Sequence, residues 1–381
     1  MARALYLTHK ELYPICGGDQ VRFTQMASLL ADHYEVDVLS LTHDPRAQCP
    51  DVYDSRLASG QVFYVPPMRR YMRASRTLVN RLPEFINHYR DPRLLDYVRR
   101  QASRYDLVLC GSAAMAQYAE GLDVPRRLVD LTDSFTLNYR NAARASRGLR
   151  SLMMLDQARR MARYEWHCRT AFDRVAYISE TDRRYIPAAL DQTCVVGNWV
   201  DIPERSAAMD SPDILFVGRM DYEPNILGAR FMAAKISEVL PATGAAKLRI
   251  VGAAPVPEVV ALESELVHVT GRVPDLQPFF DSAALVVAPM LAGSGIQNKI
   301  LQAMAHGCCV LTTPIGAEGL DVASEAFAVA EPETFHAAAA ELLADADRRA
   351  AYGRRAREYV AEHFSRRIIA GQFRHFIGWE R

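Results

Sequence analysis

The sequence predicts an α/β protein built from two doubly wound parallel sheets, each in its own domain. The chain has 381 residues, half of them hydrophobic, which is enough to fill two separate cores. Short apolar runs alternate with longer amphipathic segments, as expected when strands alternate with helices around a parallel sheet. This alternation stops near residue 200 and restarts at Asp213, which indicates a division between two similar domains.

Twelve apolar runs of four residues are interpreted as strands, because each is followed by a helical or loop-forming segment. Those of the first half lie at residues 4–7, 36–39, 62–65, 107–110, 128–131, 175–178 and 193–196. Those of the second half lie at residues 214–217, 248–251, 267–270, 285–288 and 309–312.

The domain boundary is predicted within residues 198–212, which are polar, contain prolines and lack hydrophobic periodicity. We therefore assign a first domain to residues 1–200 and a second to residues 201–365. Residues 348–376 have the composition of helices, and residues 366–381 are expected to pack away from the second domain.

Charge is balanced overall, with 45 basic and 45 acidic residues, but it is distributed unevenly. Residues 69–104 hold ten arginines and three acidic residues, with Leu82, Phe85 and Ile86 among the charges. Such a segment fits either an anionic membrane surface or a solvated helix face, and both interpretations stay open. A pI near 7.1 without a recognition motif disfavours nucleic acid as a partner.

The apolar runs are too short to span a bilayer, and the N-terminus lacks the features of a secretory signal. We therefore expect a cytoplasmic protein, with peripheral contact to the inner membrane face as the further option. The seven cysteines are an odd number without CxxC spacing or a nearby histidine, which disfavours a disulfide framework and a zinc site. Reduced, mostly buried thiols and no metal are expected.

Two glycines, Gly17 and Gly18, precede the first amphipathic helix. Glycines at a junction between loop and helix let backbone N–H groups approach an anion, although many such glycines only form a turn. The GxGxxG fingerprint is absent, which disfavours a nicotinamide-dependent dehydrogenase.

A cationic site is predicted at the sheet edge of the second domain. The segment DILFVGRM is a buried strand that ends in Gly218 and Arg219, and ligands of open α/β sheets bind at the carboxyl edge. The guanidinium of Arg219 is therefore predicted to lie where a ligand would bind.

A second cation follows in MLAGSGIQNKILQAMAHG, whose helix is predicted to begin near Gly295 to Gln297. Gly293 and Ser294 precede this helix, and its first amides favour an anion. Lys299 is one of only four lysines in a chain that otherwise uses arginine. We predict that Lys299 contacts phosphate, the alternative being a solvent-exposed helix lysine.

The motifs GRMDYEPN, LRIVGAAP, VHVTGRVPDLQPFFDSAALVVAP and GSGIQNKILQAMAHGCCVLTTPIGAEGL resemble the retaining glycosyltransferases of family 4. The resemblance extends over the first half through Gly17-Gly18, DLVLCGSAA, LVDLTDS, ARYE and VGNWVD, in the family's order. The combination of GSGIQNK with YEPN looks like a branch of bacterial exopolysaccharide and lipopolysaccharide assembly.

This resemblance implies the GT-B fold, with a last helix that crosses back to the first domain. It implies a UDP- or GDP-linked sugar as donor, a glycan or lipid-linked acceptor, and no separate cofactor. Arg219 and Lys299 would neutralise the departing diphosphate, so that no metal is required. The remaining positions implied at the donor site are Gly17, Gly18, Arg272, Val273, Ser294, Gly295, Ile296, Gln297, Asn298 and Gln302.

The sequence departs from the family pattern at four positions. Ser294 and Gln302 replace a pair of glutamates, and the amide of Gln302 would accept hydrogen bonds from the ribose more weakly than a carboxylate. Pro224 replaces a phosphate-binding lysine, which gives Lys299 more importance. Asp133 stands where the family often has a histidine near the sugar, and as a catalytic residue its carboxylate would hydrogen-bond a sugar hydroxyl or support developing positive charge. The alternative is a capping aspartate at the end of a strand.

Two other functions remain open. A nucleotide-sugar 2-epimerase shares the fold, but it needs acid and base groups that the motifs supply sparsely. A non-catalytic GT-B subunit that binds a nucleotide or a partner enzyme is compatible with the replacements at Ser294 and Gln302.

Overall fold

A computed structural model describes residues 2–15, 17–45, 56–66, 68, 73, 75–144, 146–185, 192–204, 211–240, 246–293 and 295–379. The chain forms two compact units. Unit 1 comprises Met1–Asn198 and Ala370–Arg381, and unit 2 comprises Trp199–Ile369. Trp199 and Val200 belong to unit 2 because the Val200 N–H donates to the Phe364 carbonyl at 3.0 Å and the Arg366 guanidinium lies 5.7 Å from the Trp199 ring centroid.

Unit 1 contains a seven-stranded parallel sheet in the order β3-β2-β1-β4-β5-β6-β7. Its third strand begins at Leu57 rather than at the predicted residue 62. This strand lies at the edge of the sheet and is largely exposed, so its first half lacks the apolar pattern of a buried strand. The strands are β1 (Arg3–Thr8), β2 (Glu35–Thr42), β3 (Leu57–Tyr64), β4 (Leu107–Cys110), β5 (Arg126–Asp130), β6 (Arg174–Tyr177) and β7 (Thr193–Val195).

Helices cover the sheet of unit 1 and bury its apolar strands. The longest, Gly148–Ala171, packs Met161, Tyr164 and Cys168 into the core. The helices are α1 (Gly18–Ala31), α2 (Glu84–His88), α3 (Pro92–Gln101), α4 (Ala113–Ala119), α5 (Phe135–Arg144), α6 (Gly148–Ala171) and α7 (Glu180–Tyr185).

The arginine-rich segment 69–104 is not one amphipathic helix, since its described part is divided between 3₁₀ turns, α2 and α3. Ile86 is fully buried, Leu82 packs against the core, and the Phe85 ring stacks on Phe135 with centroids 4.1 Å apart. The apolar side chains that suggested membrane contact therefore serve the core of unit 1. Residues 69–72 and 74 lie outside the described residues.

Unit 2 contains a six-stranded parallel sheet in the order β10-β9-β8-β11-β12-β13. The last strand was not predicted because two residues are too few to show an apolar pattern. Its strands are β8 (Ile214–Val217), β9 (Leu248–Val251), β10 (Val267–Gly271), β11 (Leu285–Ala288), β12 (Val310–Thr312) and β13 (Ala328–Val329). Its helices are α8 (Glu223–Val239), α9 (Pro257–Val260), α10 (Gln277–Ser282), α11 (Asn298–Ala305), α12 (Phe335–Ala344) and α13 (Ala346–His363).

The last helix, α14 (Arg366–Phe376), leads the chain back into unit 1. Phe373, Phe376 and Ile377 are buried there, and Arg126 Nη1 donates to the Ile377 carbonyl at 2.5 Å. The predicted return of the C-terminal segment to the first domain agrees with this packing.

Five cysteines are free and buried thiols, namely Cys110, Cys168, Cys194, Cys308 and Cys309. Cys16 and Cys49 lie outside the described residues. Among the residues described, no helix combines the length and apolar content needed to cross a bilayer.

Candidate functional site

Three neighbouring strands of unit 2 are each followed or ended by a glycine at their carboxyl ends. Gly218 follows β8, Gly252 follows β9, and Gly271 ends β10. A Cβ atom on Gly252 would lie 1.7 Å from the Gly218 carbonyl oxygen, so only glycine fits this close backbone approach. The small residues leave backbone groups accessible along the edge where ligands bind in open α/β sheets.

Arg219 lies at this edge, directly after Gly218. Its Nε and Nη2 atoms donate to Asp221 Oδ1 at 2.6 Å and Oδ2 at 2.7 Å, forming a bidentate pair. The hydrogen bond from Arg219 holds the pKa of the Asp221 carboxyl below its usual range. The guanidinium remains about half exposed, so an arriving anion would compete with Asp221 for it.

Lys299 lies in the first turn of α11, which begins at Asn298, slightly later than predicted. Its Nζ donates to Asn225 Oδ1, lies 3.3 Å from Met290 Sδ, and sits 5.4 Å from the Phe216 ring centroid. This burial lowers the pKa of Lys299 to about 7. The interpretation of Lys299 as a solvent-exposed helix lysine is therefore wrong.

Asn225 connects the two cationic residues. Its Nδ2 donates to the Arg219 backbone carbonyl at 2.8 Å, while its Oδ1 accepts from Lys299 Nζ. The side chain is 4% exposed, next to Pro224 in the first turn of α8. Sequence reasoning missed this residue, although the YEPN motif contains it, because its partner Lys299 lies 74 residues further along the chain.

The loop before α11 needs glycine at two positions. Gly293 has φ +112° and Gly295 has φ +72°, a backbone conformation that side chains disfavour. Gly295 and Ile296 are buried, and Gln297 at the N-cap offers no side-chain hydrogen bond to the first turn. The first amides of α11 therefore keep the character that favours an anion. Ser294 lies outside the described residues.

Gln302 follows Lys299 by three residues on α11, so both lie on one side of the helix. It is partly exposed, and its side chain makes no hydrogen bond to another described residue. Arg272 is exposed and Val273 is partly buried directly after β10. Each predicted donor-site residue of unit 2 that the structure describes thus follows a strand of this sheet or lies in or next to α11.

In unit 1, Gly17 is the N-cap of α1, which begins at Gly18 as predicted. Asp19 in the first turn pairs with Lys10 Nζ at 2.5 Å and lies 3.7 Å from His9 Nε2. Although burial raises the pKa of Asp19, the hydrogen bond to His9 and the charge of Lys10 lower it overall.

His9 was not predicted, although its position directly after β1 is a signal for a residue at the sheet edge. The ring is buried, and its Nδ1 lies 2.9 Å from Ser112 Oγ, which follows β4. Burial lowers the pKa of His9, despite the opposing effect of Asp19. His9 and Asp19 therefore connect β1, β4 and the glycine loop within unit 1.

Asp133 follows β5 at the same edge of the first sheet. Burial, together with the charge of the neighbouring Asp182, raises its pKa to about 7. The capping alternative fails, because the N–H of Leu137 donates to Ser134 Oγ at 3.3 Å and Asp133 makes no such bond among the described residues. Asp133 is thus a carboxyl group at the sheet edge whose pKa lies near 7.

Glu165 of the ARYE motif lies behind this edge and is fully buried. It accepts hydrogen bonds from the Thr136 N–H at 3.1 Å, Thr136 Oγ1 at 2.9 Å and Ser134 Oγ at 3.1 Å. Burial still raises its pKa to about 7. These bonds make Glu165 a structural support for the start of α5.

Within the described part of the chain, no three His, Cys, Asp or Glu side chains are grouped so that they could hold a metal ion. The chemistry available at the edge of unit 2 is that of side-chain cations and helix amides, a combination that suits a phosphate or diphosphate.

Residues 211–345 match the family model described as Glycosyl transferases group 1. Among curated protein sequences, none matches the chain. The match lies in unit 2 and includes Arg219, Asn225, Lys299 and Gln302.

Solved structures share the fold at low sequence identity. Sucrose-phosphate synthase from Thermosynechococcus elongatus is 18% identical, with a TM-score of 0.72 over 100% of both chains. HepE from Anabaena, in complex with UDP-glucose, is 14% identical, with a TM-score of 0.71 over 100% of both chains. WaaG, a glycosyltransferase involved in lipopolysaccharide biosynthesis, is 16% identical, with a TM-score of 0.67 over 98% of this chain and 100% of that one.

The predicted fold class is confirmed, since two Rossmann-like parallel-sheet units match GT-B structures. The family match and these structures together support a glycosyltransferase of the GT-B fold.

Proposed function

We propose that this chain is a retaining glycosyltransferase that moves a hexose from a UDP- or GDP-linked sugar to a glycan or lipid-linked acceptor. The observation that carries the proposal is the connected pair Arg219 and Lys299, joined through Asn225 at the carboxyl edge of the second sheet. HepE, which has the same fold, holds UDP-glucose, and this supports a nucleotide sugar as the donor.

Cleavage of the bond between the anomeric carbon and the phosphate oxygen leaves negative charge on the diphosphate. Arg219 and Lys299 would stabilise this charge, and the N-terminal amides of α11 would add to it. Because side chains supply two cations, we infer that turnover needs no metal ion. Asp221 would give up its bidentate contact with Arg219 when the diphosphate binds.

Retention of the anomeric configuration follows if the acceptor hydroxyl attacks from the face that the diphosphate leaves. The hydroxyl oxygen then bonds to the anomeric carbon, and its proton passes to the departing phosphate oxygen. No separate protein base is required in this scheme, which agrees with the few titratable groups predicted at the donor site.

The other donor-site assignments are part of the same proposal. Gln302 would accept hydrogen bonds from the ribose, and Arg272 with Val273 would border the base. Asp133 and the Gly17-Gly18 loop of unit 1 would contact the sugar or the acceptor.

The biological setting we propose is bacterial cell-surface polysaccharide assembly, with the protein in the cytoplasm. WaaG, a GT-B structure with a role in lipopolysaccharide biosynthesis, supports this setting. A lipid-linked acceptor would place the enzyme at the inner face of the membrane, and the arginines of residues 69–104 were predicted to make that contact.

The test is calorimetric titration of the protein with UDP and GDP, followed by hydrolysis of the matching sugar donors. We expect one nucleotide to bind, and the hexose released to carry the donor's anomeric configuration in NMR spectra recorded before mutarotation. The Arg219→Ala variant should hydrolyse the donor more slowly. Arg230→Ala is its matched control, because Arg230 is an exposed arginine of unit 2 paired with Glu258. Failure of both nucleotides to bind would overturn the proposal, and inversion would overturn its retaining mechanism.

A non-catalytic nucleotide-binding subunit is the second candidate, favoured by the Asp221 contact that already neutralises Arg219 and by the amide at Gln302. The same experiment separates the two functions. Nucleotide binding without donor turnover, with acceptor extracts present, would favour the subunit. A 2-epimerase would instead change the sugar of the donor without any acceptor.

A further inference from the structure

The first turns of α6 expose large apolar side chains. Leu149 is 74% exposed, Leu152 64% and Met153 56%, and their spacing of three and four residues places them on one face of the helix. The core of unit 1 contacts the opposite side of α6. Contiguous exposed apolar patches on proteins mark surfaces that bind another protein, a membrane or a ligand.

The same face of α6 becomes basic in its second half. Arg159 and Arg163 are exposed and, within the described residues, have no ion pair or hydrogen bond. Together with Arg81, Arg160 and Asp156 they line a cavity of about 230 Å³. These three guanidinium groups, of Arg81, Arg159 and Arg163, have no ion pair or hydrogen bond to another described residue, and they lie close together next to the apolar end of the helix.

Arg160 holds the turn formed by residues 77–80 against this face of α6. Its Nη1 donates to the Thr77 carbonyl at 3.1 Å and the Asn80 carbonyl at 2.7 Å, and its Nε donates to Asp156. The attached turn exposes 92% of Val79. We define the α6 face by its seven exposed members: Val79, Arg81, Leu149, Leu152, Met153, Arg159 and Arg163.

The acidic groups near the α6 face are few, and two of them are paired with basic side chains. Asp156 pairs with Arg160, and Glu120 pairs with His167 Nε2 at 3.3 Å. Glu84 lies where the chain approaches the buried side of α6, with its N–H bonded to Gln157. The face is therefore strongly positive, and a second copy of the chain would set the same arginines against one another.

We propose that the α6 face docks on an anionic lipid bilayer. Leu149, Leu152 and Met153 would enter the boundary between headgroups and acyl chains, while Arg81, Arg159 and Arg163 would contact lipid phosphates. Apolar side chains flanked by cations on one helix face are the arrangement that binds such a surface. This proposal replaces residues 69–104 as the membrane contact, except for the turn that carries Val79 and Arg81.

The docking proposal does not depend on the proposed donor chemistry, and binding is measured without substrate. The experiment is flotation of the full-length chain with vesicles of 30% phosphatidylglycerol in phosphatidylcholine, compared with pure phosphatidylcholine. We expect binding to the anionic vesicles alone. The double variant Arg159→Gln, Arg163→Gln should bind about 30-fold more weakly, as about 1 kcal/mol per surface charge implies.

The matched control is Arg99→Gln, Arg100→Gln, which removes the same charge from exposed arginines of α3 inside residues 69–104. It should retain nearly all binding. A second test variant, Leu152→Ser, Met153→Ser, should lose the binding that remains at 0.5 M NaCl, where screening weakens the arginine contacts. Circular dichroism and thermal unfolding of each variant establish that unit 1 is folded.

Equal loss in the α3 control and the α6 variant would overturn the α6 face as the docking site. Equal binding of the wild-type chain to neutral and anionic vesicles, or to neither, would overturn an anionic bilayer as its partner. A concentration-dependent dimer that the Leu152→Ser, Met153→Ser variant abolishes, without vesicle binding, would assign the face to a second copy instead.

Discussion

The first six strands of the two sheets have the same order, but different charged residues follow them at their carboxyl edges. In unit 2 the residues that follow the strands and begin α11 supply Arg219, Arg272 and Lys299. In unit 1 the corresponding edge carries Asp133, whose pKa is raised to about 7 mainly by burial, and Asp19, a low-pKa carboxylate that pairs with Lys10. The shared β-α-β connectivity determines where a ligand can bind, and the few residues after each strand determine its charge.

This contrast gives each unit a separate chemical task under the proposed function. The cationic edge suits the diphosphate of a donor, whereas carboxyl groups suit the hydroxyl groups of sugars. If the contrast is functional, substitutions at the two edges will affect different steps.

The largest effect is expected from the cations. Lys299→Ala or Arg219→Ala should reduce turnover on the order of 10²-fold or more, because the departing diphosphate then loses one of the two side-chain cations that stabilise its charge. Lys235→Ala is the control, since Lys235 is a partly exposed lysine of α8 paired with Glu238 at 2.9 Å. Full activity in both site variants would remove the diphosphate role from this edge.

The next effect concerns Gln302 and separates ribose binding from helix packing. Gln302→Leu should weaken nucleotide binding by about 1 to 3 kcal/mol, because the ribose hydroxyl groups lose their acceptor. Gln302→Glu should hold or tighten binding through a charge-assisted bond. Calorimetry with the nucleoside diphosphate measures both, and equal affinities of all three proteins would argue against a ribose contact.

The affinity for nucleoside diphosphate should depend on pH above neutrality. Lys299 has a pKa of about 7 in the free protein, and an anion beside it favours the charged form. Below pH 7 the lysine is already charged, whereas above pH 7 binding must take up a proton, so affinity should fall by up to about tenfold per pH unit. Lys299→Arg should flatten this profile between pH 7 and 9, and a flat wild-type profile would contradict the prediction.

Asp133, at the edge of the unit 1 sheet, should make the free energy of unfolding depend on pH below pH 7, whereas Lys299 should make nucleotide affinity depend on pH above pH 7. The pKa of Asp133 is about 7 in the folded protein and about 3.9 when unfolded, so the folded state holds more protons between these values. Stability should therefore decrease as pH rises from about 4 to 7 and stay reduced above 7. Asp133→Asn should raise the free energy of unfolding at pH 8 on the order of 1 to 2 kcal/mol.

Urea unfolding at pH 5 and pH 8 measures this effect, with the exposed Asp123→Asn as control. If Asp133 also contacts the sugar, the stabilised variant should turn over more slowly. Stabilisation with unchanged turnover would confine Asp133 to a structural role.

The smallest expected effect is that of a chelator. Turnover should persist in excess EDTA, since Arg219 and Lys299 supply the positive charge. Loss of activity with EDTA and its recovery with Mg²⁺ or Mn²⁺ would show that the cationic edge is insufficient.

Much of the fold was predictable because buried parallel strands are short apolar runs. The exceptions were the polar edge strand β3, which starts at Leu57, and the two-residue strand Ala328–Val329. Both lie at a sheet edge, where strands are less buried and lose the apolar signal.

The positions of Arg219 and Lys299 were predictable from the ends of strands and the start of a helix. Their partners were not, because Asn225 and Lys299 are 74 residues apart and a contact over that distance depends on the packing of α8 against the sheet. The α6 face that we propose for docking was not predicted, because charge alone does not show which apolar residues the core has already used.

The return of α14 to unit 1 has a consequence for biosynthesis. Phe373 and Phe376 complete the core of unit 1, yet the ribosome makes them only after the whole of unit 2. At roughly 5–20 residues per second, the nascent first unit exposes the apolar surface beneath these rings for on the order of ten to thirty seconds. During that interval the emerging chain is a substrate for chaperones, and ribosome stalling within unit 2 would prolong it.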